Sequence, residues 1–164
     1  MGAQKLSVCM IARDEAQFLT RCLESIQGLA DEVVVGDTGS TDDTRQVAVE
    51  GGARVVEAPW EDDFSLARNA VLEEATGDWV LAVDCDEVVS GRDHGDIRRA
   101  MASGAHDGYR MTTRNYAHES SRVGWQACRG EYEEERDLEG WFPTTKVRLF
   151  RNDARIRFEG EVHE

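Results

Sequence analysis

The stretch that decides the fold is Gly77-Asp78-Trp79-Val80-Leu81-Ala82-Val83-Asp84-Cys85-Asp86-Glu87. Every residue at positions 79–83 is apolar, which is typical of a strand that is buried on both faces. Two carboxylates follow this strand directly, and a cysteine separates them. Ligands of parallel sheets bind beyond the carboxyl ends of the strands. This stretch therefore predicts a central strand, with Asp84 and Asp86 at the edge of the sheet where a ligand would bind.

The sequence before this strand alternates between short apolar runs and amphipathic stretches. Strands are predicted at residues 6–12, 32–36 and 53–57. Two sets of apolar residues recur at the period of a helix: Phe18, Leu19, Cys22, Leu23 and Ile26, and then Phe64, Ala67, Val71 and Ala75. The alternation of strands and helices predicts the α/β class, with a mainly parallel sheet flanked by helices on both sides.

The ends of the elements carry local signals. Ser40 or Thr41 is expected to cap the helix after the second strand, and Gly51-Gly52 to end it. In the second half, a helix is predicted near residues 97–102, strands at 109–116 and 146–150, and a short edge strand at 155–158. The acidic run at 131–139 is expected to be a solvated loop or an exposed helix face.

Composition restricts the class of protein. The chain has 164 residues, 40% of them hydrophobic, which suits one compact domain with a core. Its formal net charge of -14 disfavours binding to nucleic acid. No apolar run is long enough to span a bilayer, and no signal peptide is recognisable, so a soluble, cytoplasmic protein is expected. None of the four cysteines forms a C-x-x-C pair, and Cys9 and Cys22 are expected in the core.

Acidic residues recur where the predicted strands end. Glu15 follows the first strand, Asp37 ends the second, and Asp84 and Asp86 follow the fourth. The fold would bring all four to one edge of the sheet. Carboxylates at i and i+2 can hold Mg²⁺ or Mn²⁺ beside a nucleoside diphosphate. An ordinary acidic turn is the alternative, and the other acids at the edge favour the metal site.

Arg68 is open to two interpretations. It could be a surface arginine that pairs with nearby acids, which are Asp62, Asp63 and Glu73. It could instead contact a nucleotide phosphate, for which a guanidinium group is well suited.

Three other residues could have chemical roles. Cys85 is expected to be a small packed residue rather than a metal ligand, since its side chain should point away from those of its neighbours. His163 and Glu164 end the chain, and their position alone favours a frayed terminus.

Four segments together resemble family 2 glycosyltransferases with the GT-A fold. They are Ser7-Val8-Cys9-Met10-Ile11-Ala12-Arg13-Asp14-Glu15, Asp37-Thr38-Gly39-Ser40-Thr41-Asp42-Asp43-Thr44, Trp60-Glu61-Asp62-Asp63-Phe64-Ser65-Leu66-Ala67-Arg68-Asn69 and the stretch at 77–87. Residues 158–164 are similar to a block found later in these enzymes. The resemblance covers about the first 90 residues, and the order and spacing of its segments make it specific.

The resemblance implies a function and a set of roles. It implies transfer of a sugar from a nucleoside diphosphate sugar, with a UDP-sugar favoured, usually with inversion and with Mn²⁺ or Mg²⁺. The implied nucleotide-site residues are Ala12 and Glu15 in the pocket wall, Asp37 at the base or ribose, Arg68 at the nucleotide, and Asp84 at the ribose or metal. The implied metal ligands are Asp86 and His163, and Glu164 is the candidate general base.

The resemblance also implies how the chain is organised. Residues 1–164 would form a single GT-A domain, with a nucleotide-binding half at 1–90 and a partial acceptor-side half at 91–164. GT-A domains usually run longer, so a C-terminally truncated domain is expected. Two other functions stay open: a sugar-phosphate nucleotidyltransferase, and a non-catalytic domain that binds nucleotide sugars. Arg13-Asp14-Glu15 stands where a nucleotidyltransferase often has a glycine-rich loop. The acceptor is left open.

Overall fold

The computed structural model describes residues 4–58, 60–118 and 120–161. Strands and helices alternate through the first half in the order β1 (Leu6–Ala12), α1 (Ala16–Ser25), β2 (Glu32–Asp37), α2 (Thr44–Glu50), β3 (Arg54–Glu57), α3 (Phe64–Glu74) and β4 (Trp79–Ala82). The second half contains α4 (His94–Ser103), β5 (Gly108–Tyr116), β6 (Gln126–Ala127), a 3-10 turn at Glu133–Glu135, and β7 (Gly140–Arg151). The predicted elements of the first half are confirmed.

All of these strands belong to one mixed sheet. Its order is β3-β2-β1-β4-β7-β5, and β6 pairs with β7. The first four strands in this order are parallel. Strand β7 is antiparallel to both β4 and β5. Strand β7 therefore lies beside the strand that precedes the two aspartates.

Helices cover both faces of the sheet. On one face, α1, α2 and α4 contribute buried residues that include Leu19, Ala48 and Met101. On the other face, α3 packs Ala67 and Val71 against the sheet. The predicted two-sided arrangement is confirmed, although Phe18 is 46% exposed because it lies at the margin of the buried face of α1.

The predicted cap of α2 is wrong. The helix begins only at Thr44, and Asp43 precedes it. Ser40 instead accepts a hydrogen bond on Oγ from the backbone N–H of Asp14 at 3.1 Å, and Thr41 donates its backbone N–H to the Asp14 carboxylate at 2.7 Å. These bonds tie the loop after β1 to the loop after β2. The predicted end of the helix is confirmed at Gly51.

The predicted edge strand at 155–158 is also wrong. Residues 156–160 have no regular secondary structure. The side-chain amide of Asn69 on α3 donates to the carbonyl of Phe158 and accepts its N–H, both at 2.9 Å. A single side chain thus satisfies the backbone groups that a neighbouring strand would otherwise pair, and it holds this segment against α3.

The acidic run at 131–139 is not wholly solvated. Glu135 is only 4% exposed and pairs with Arg114. Its carboxylate also accepts the backbone N–H groups of Arg129 at 3.1 Å and Glu131 at 3.0 Å. A charge can be buried only where it is paired and hydrogen-bonded, so the expectation of a solvated segment is wrong for Glu135.

The longest helix among the described residues is α3, with 11 residues. Within the described part of the chain, no helix combines the length and the apolar character needed to cross a bilayer.

Candidate functional site

A cavity of about 370 Å³ lies beyond the carboxyl ends of β1 and β4. Its walls come from the loops after β1, β2 and β4 and from α3 with the loop before it. The lining residues are Ile11, Ala12, Arg13, Glu15, Thr38, Trp60, Phe64, Arg68, Asp84, Cys85 and Asp86. Because β1, β2 and β4 are parallel, their ends meet at this edge, and the predicted convergence of Glu15, Asp84 and Asp86 is observed.

Both carboxylate oxygens of Asp84 are paired with arginines. Arg68 donates from Nη2 to Oδ1 at 2.7 Å, and Arg148 donates from Nη2 to Oδ2 at 2.9 Å. Burial by itself would raise the pKa of Asp84, but the hydrogen bonds and charges of Arg148 and Arg68 outweigh it and lower the pKa to about 2. Asp84 is therefore a fixed anion whose charge is neutralised within the protein.

Arg68 is a wall residue and not a surface arginine. It is buried in α3, and its guanidinium carbon lies 5.5 Å from the centroid of the Phe158 ring. The interpretation in which it pairs with acids on the surface is wrong, because the helix turns this side chain toward Asp84 at the cavity. The side chain stands where it can meet an anionic ligand.

Arg148 and Glu87 belong to the site and were missed by sequence reasoning. Arg148 on β7 is 8% exposed and donates from Nη2 to Glu87 Oε1 as well, at 2.9 Å. Glu87 in turn accepts the backbone N–H of Asp84 on Oε2 at 3.0 Å. The sequence did contain a signal: Arg148 stands beside Leu149 and Phe150 in a predicted strand. An arginine that is buried in such a strand needs an acidic partner.

Asp86 is the carboxylate that faces solvent at the cavity. It is exposed, and its side chain makes no hydrogen bond within the described part of the chain. Glu15 lies on the same wall and is half-buried. Burial raises the pKa of Glu15, and the negative charge of Asp86 raises it further. Among the described residues, no basic side chain forms an ion pair with either of these two carboxylates at the edge.

These carboxylates fit a hard divalent cation only together with ligand oxygens. Among residues 4–58, 60–118 and 120–161, no group of three His, Cys, Asp or Glu side chains comes together as a metal site. Mg²⁺ is commonly bound through one or two carboxylates plus substrate phosphates. The free oxygens of Asp86, with Glu15 nearby, suit that kind of site, whereas both oxygens of Asp84 already accept hydrogen bonds from arginines.

Asp37 lies beside the cavity and does not line it. Its side chain is 3% exposed, with Arg45 at 3.7 Å. The carboxylate accepts the backbone N–H of Ser40 at 3.2 Å. The next residue, Thr38, lines the cavity, as does Ala12 at the end of β1.

The cavity also has an aromatic wall that sequence reasoning did not assign. Trp60 and Phe64 pack edge to face, with ring centroids 4.8 Å apart. The indole N–H of Trp60 donates to Asp62 at 2.9 Å, which fixes the plane of the ring. The lining of the cavity therefore combines aromatic rings with charged groups.

Cys85 is a packed residue, as predicted. It is buried, and its Sγ lies 3.2 Å from the carbonyl oxygen of Ile11. Burial raises the pKa of this thiol strongly, so the thiolate that would bind a metal is disfavoured.

His163 and Glu164 lie outside the described residues. The last described residue, Glu161, accepts the backbone N–H of Phe64 on its carbonyl oxygen at 3.0 Å. The chain is therefore at the cavity wall two residues before His163.

Comparison with known proteins assigns the family. Residues 7–156 match the sequence model of Glycosyl transferase family 2. The chain belongs to this family. The match confirms the resemblance, and together with the sheet it confirms the expected α/β fold of the GT-A type.

This family 2 chain is similar to several longer proteins. It is 37% identical over 161 residues to a TPR repeat-containing protein of Synechococcus elongatus, covering 98% of this chain and 35% of the relative. It is 34% identical over 106 residues to an uncharacterized glycosyltransferase of Rickettsia felis, covering 65% of this chain and 37% of the relative. The crystal structure of a mycobacterial protein is also similar, with a TM-score of 0.56 and 29% identity, over 65% of this chain and 39% of that one. The chain spans little more than a third of the length of these relatives.

Proposed function

We propose that this family 2 domain binds a nucleoside diphosphate sugar, with a UDP-sugar favoured, and transfers the sugar to an acceptor with inversion in the presence of Mn²⁺ or Mg²⁺. The observation that carries the proposal is the cavity beyond β1 and β4, which is lined by Arg68, by the exposed Asp86 and by Asp84, whose charge is neutralised by Arg68 and Arg148. A cationic side chain and a free carboxylate together suit a diphosphate that brings its own divalent cation.

Each wall residue has a role in this proposal. Arg68 contacts the diphosphate, because its planar guanidinium can donate two hydrogen bonds to phosphate oxygens. Asp86 holds the cation, and the bound cation offsets negative charge on the leaving diphosphate. The remaining nucleotide contacts are assigned to Ala12 and Glu15 in the wall, to Asp37 through the base or ribose, and to Asp84 near the ribose.

The transfer itself requires a proton acceptor. The acceptor hydroxyl attacks the anomeric carbon from the side opposite the diphosphate, the bond between that carbon and the diphosphate oxygen breaks, and the base takes the hydroxyl proton. Glu164 is proposed as this base and His163 as a second metal ligand. The contact of Glu161 with Phe64 supports both roles, since Glu161 lies at the cavity wall and precedes His163 by two positions in the sequence.

Nucleotide binding is tested by thermal unfolding with UDP, GDP and ADP, each with and without Mn²⁺. A ligand at 100 times its dissociation constant stabilises the folded state by about 2.7 kcal/mol. We expect one nucleotide to raise the unfolding temperature by an amount that depends on Mn²⁺. Asp86→Asn should abolish the metal-dependent part, whereas Asp96→Asn, an exposed acid on α4, should leave it unchanged. A folded protein that shifts with none of these ligands would contradict the proposal.

The two rival functions have their own signatures. Release of pyrophosphate from a nucleoside triphosphate and a sugar phosphate would point to a nucleotidyltransferase. Turnover of a nucleotide sugar by residues 1–164 would exclude a non-catalytic binding domain.

A further inference from the structure

An ion network centred on the buried Arg148, with the half-buried Asp84 and Glu87 as its partners, adjoins the proposed donor site. Arg148 donates from one nitrogen, Nη2, to Asp84 and to Glu87, both at 2.9 Å. Glu87 Oε1 also accepts the hydroxyl of Thr113 on β5 at 3.3 Å. The network therefore joins β5 and β7 to the turn that follows β4.

Stability alone is a weak explanation for this network. Desolvation of a buried ion pair costs several kcal/mol per ion, and replacing the pair by apolar residues is often neutral or stabilising. Arg148 adds to this cost, because its buried Nε finds no hydrogen-bond partner in the described part of the chain. A role in geometry accounts better for an arginine at this position.

The geometry that Arg148 controls is that of residues 84–87. Glu87 donates its backbone N–H to the carbonyl of Asp84 at 3.0 Å, and its side chain accepts the backbone N–H of Asp84 at the same distance. Within this closed turn Cys85 is buried, whereas Asp86 is exposed at the cavity. Arg148 holds the side chains at both ends of the turn, and Asp86 lies between these two residues in the sequence.

We propose that Arg148 is a positioning residue of the donor site: by holding Asp84 and Glu87 it fixes the turn so that Asp86 meets the cation on the donor diphosphate. This inference rests on the proposed function. Arg148 also keeps a counter-ion on Asp84 if Arg68 turns toward the diphosphate, since the two arginines occupy different oxygens.

The test measures how much Mn²⁺ strengthens nucleotide binding. The dissociation constant of UDP, or of GDP if GDP gives the larger thermal shift, is measured by calorimetry without and with Mn²⁺, and the ratio is the metal enhancement. Partners that orient metal ligands typically account for 10–100-fold in metal affinity. We therefore expect Arg148→Met to lower the enhancement by about tenfold. Any effect of the substitution on metal-free nucleotide affinity is present in both dissociation constants and cancels in their ratio.

Two further variants separate positioning from general destabilisation. Arg148→Lys keeps the charge but loses the planar fork, so an intermediate enhancement is expected. Arg114→Met is the matched control, since Arg114 is also ion-paired between a strand and a loop but its partners, Glu131 and Glu135, lie away from the donor cavity. Arg114→Met should lower the unfolding temperature and leave the enhancement unchanged.

The outcomes are distinct. A folded Arg148→Met with the wild-type enhancement would overturn the inference, as would an equal loss in Arg114→Met. If Arg148→Met does not fold, Arg148→Lys decides: an intermediate value supports the inference and a wild-type value overturns it. A wild-type protein that binds nucleotide without any metal enhancement would instead refute the proposed metal-dependent function, and the inference with it.

Discussion

The carboxylate of Asp84 accepts hydrogen bonds from two guanidinium groups, one on each oxygen. Arg68 comes from α3 and Arg148 from β7, so this single carboxylate joins two elements that pack on it from different sides. Because the charge of Asp84 is already compensated, a diphosphate that enters the cavity meets a cationic Arg68 and an anionic Asp86. The two residues would therefore serve different ligands, the nucleotide and the cation.

Substitution of Arg68 should weaken nucleotide binding more than it weakens the fold. We expect Arg68→Met to raise the dissociation constant of the bound nucleoside diphosphate by about tenfold or more, since a hydrogen bond to a charged group contributes about 1.5–3 kcal/mol. Asp84 keeps its bond to Arg148, so the folded state should persist. Calorimetric titration measures the affinity, and Arg99→Met, an exposed arginine on α4, is the control. Equal affinity in wild type and Arg68→Met would remove Arg68 from the site.

At the scale of elements, the packing distance between α3 and β2 determines how deeply Arg68 is buried. Gly36 on β2 faces Val71, which lies one helical turn after Arg68 on α3. A Cβ atom at position 36 would overlap Cγ2 of Val71 and would lie 3.1 Å from Cβ of Ala58. The absence of a side chain at Gly36 thus allows the helix to approach the sheet.

Substitution of Gly36 should therefore destabilise the protein through this contact. Overpacking typically costs 1–3 kcal/mol, so we expect Gly36→Ala to lower the free energy of unfolding by about that amount. Adding Val71→Ala should make room, so that the double variant is less destabilised than the sum of the two single changes. Urea unfolding of the three variants measures this coupling.

The control for these three variants is Gly91→Ala, because an added Cβ at position 91 would contact no heavy atom within 4 Å. Its free energy of unfolding should stay close to that of the wild type. Strictly additive effects of Gly36→Ala and Val71→Ala on the free energy of unfolding would show that α3 does not pack against β2 at Gly36.

At the scale of the whole molecule, the sheet has two unequal parts. The parallel strands β1, β2 and β4 are largely buried, with β3 as a more exposed edge strand, whereas β5 and β7 extend beyond β4 as an antiparallel ribbon. The two parts are joined by three residue pairs between β4 and β7, from Trp79 with Arg151 to Leu81 with Leu149. Residues 143–147 of β7 are exposed, whereas 148–150 are buried.

Amide hydrogen exchange should reveal this division. Regions with few buried contacts open locally at a lower cost than the core. We expect amides of β1 and β4 to exchange only by global unfolding, and amides at 110–116, 141–142 and 144–147 to show protection factors lower by about tenfold or more. Exchange followed by NMR or mass spectrometry makes the comparison. Uniform protection across the sheet would mean that the ribbon and the parallel strands open as one unit.

Much of the fold could be predicted because its signals are local. The apolar run at 79–83 specifies a buried strand, and the helical spacing of Ala67 and Val71 specifies the buried face of α3. Parallel strands bring their carboxyl ends together, so the sequence alone suffices to place Glu15, Asp84 and Asp86 at one edge. The least predictable segment was 117–142, where pairing with β7 and the Glu135 ion pair replace local periodicity.

The sequence by itself determined the strands and helices of the first half, the family, and the acidic edge beyond β1 and β4. Only the tertiary structure decided which charges meet there. Arg148 is 64 residues away from Asp84 along the chain, and it reaches Asp84 because β7 inserts antiparallel beside β4. Periodicity encodes which face of an element is buried, but the partner of a buried charge depends on the order of strands in the sheet, which local sequence does not specify.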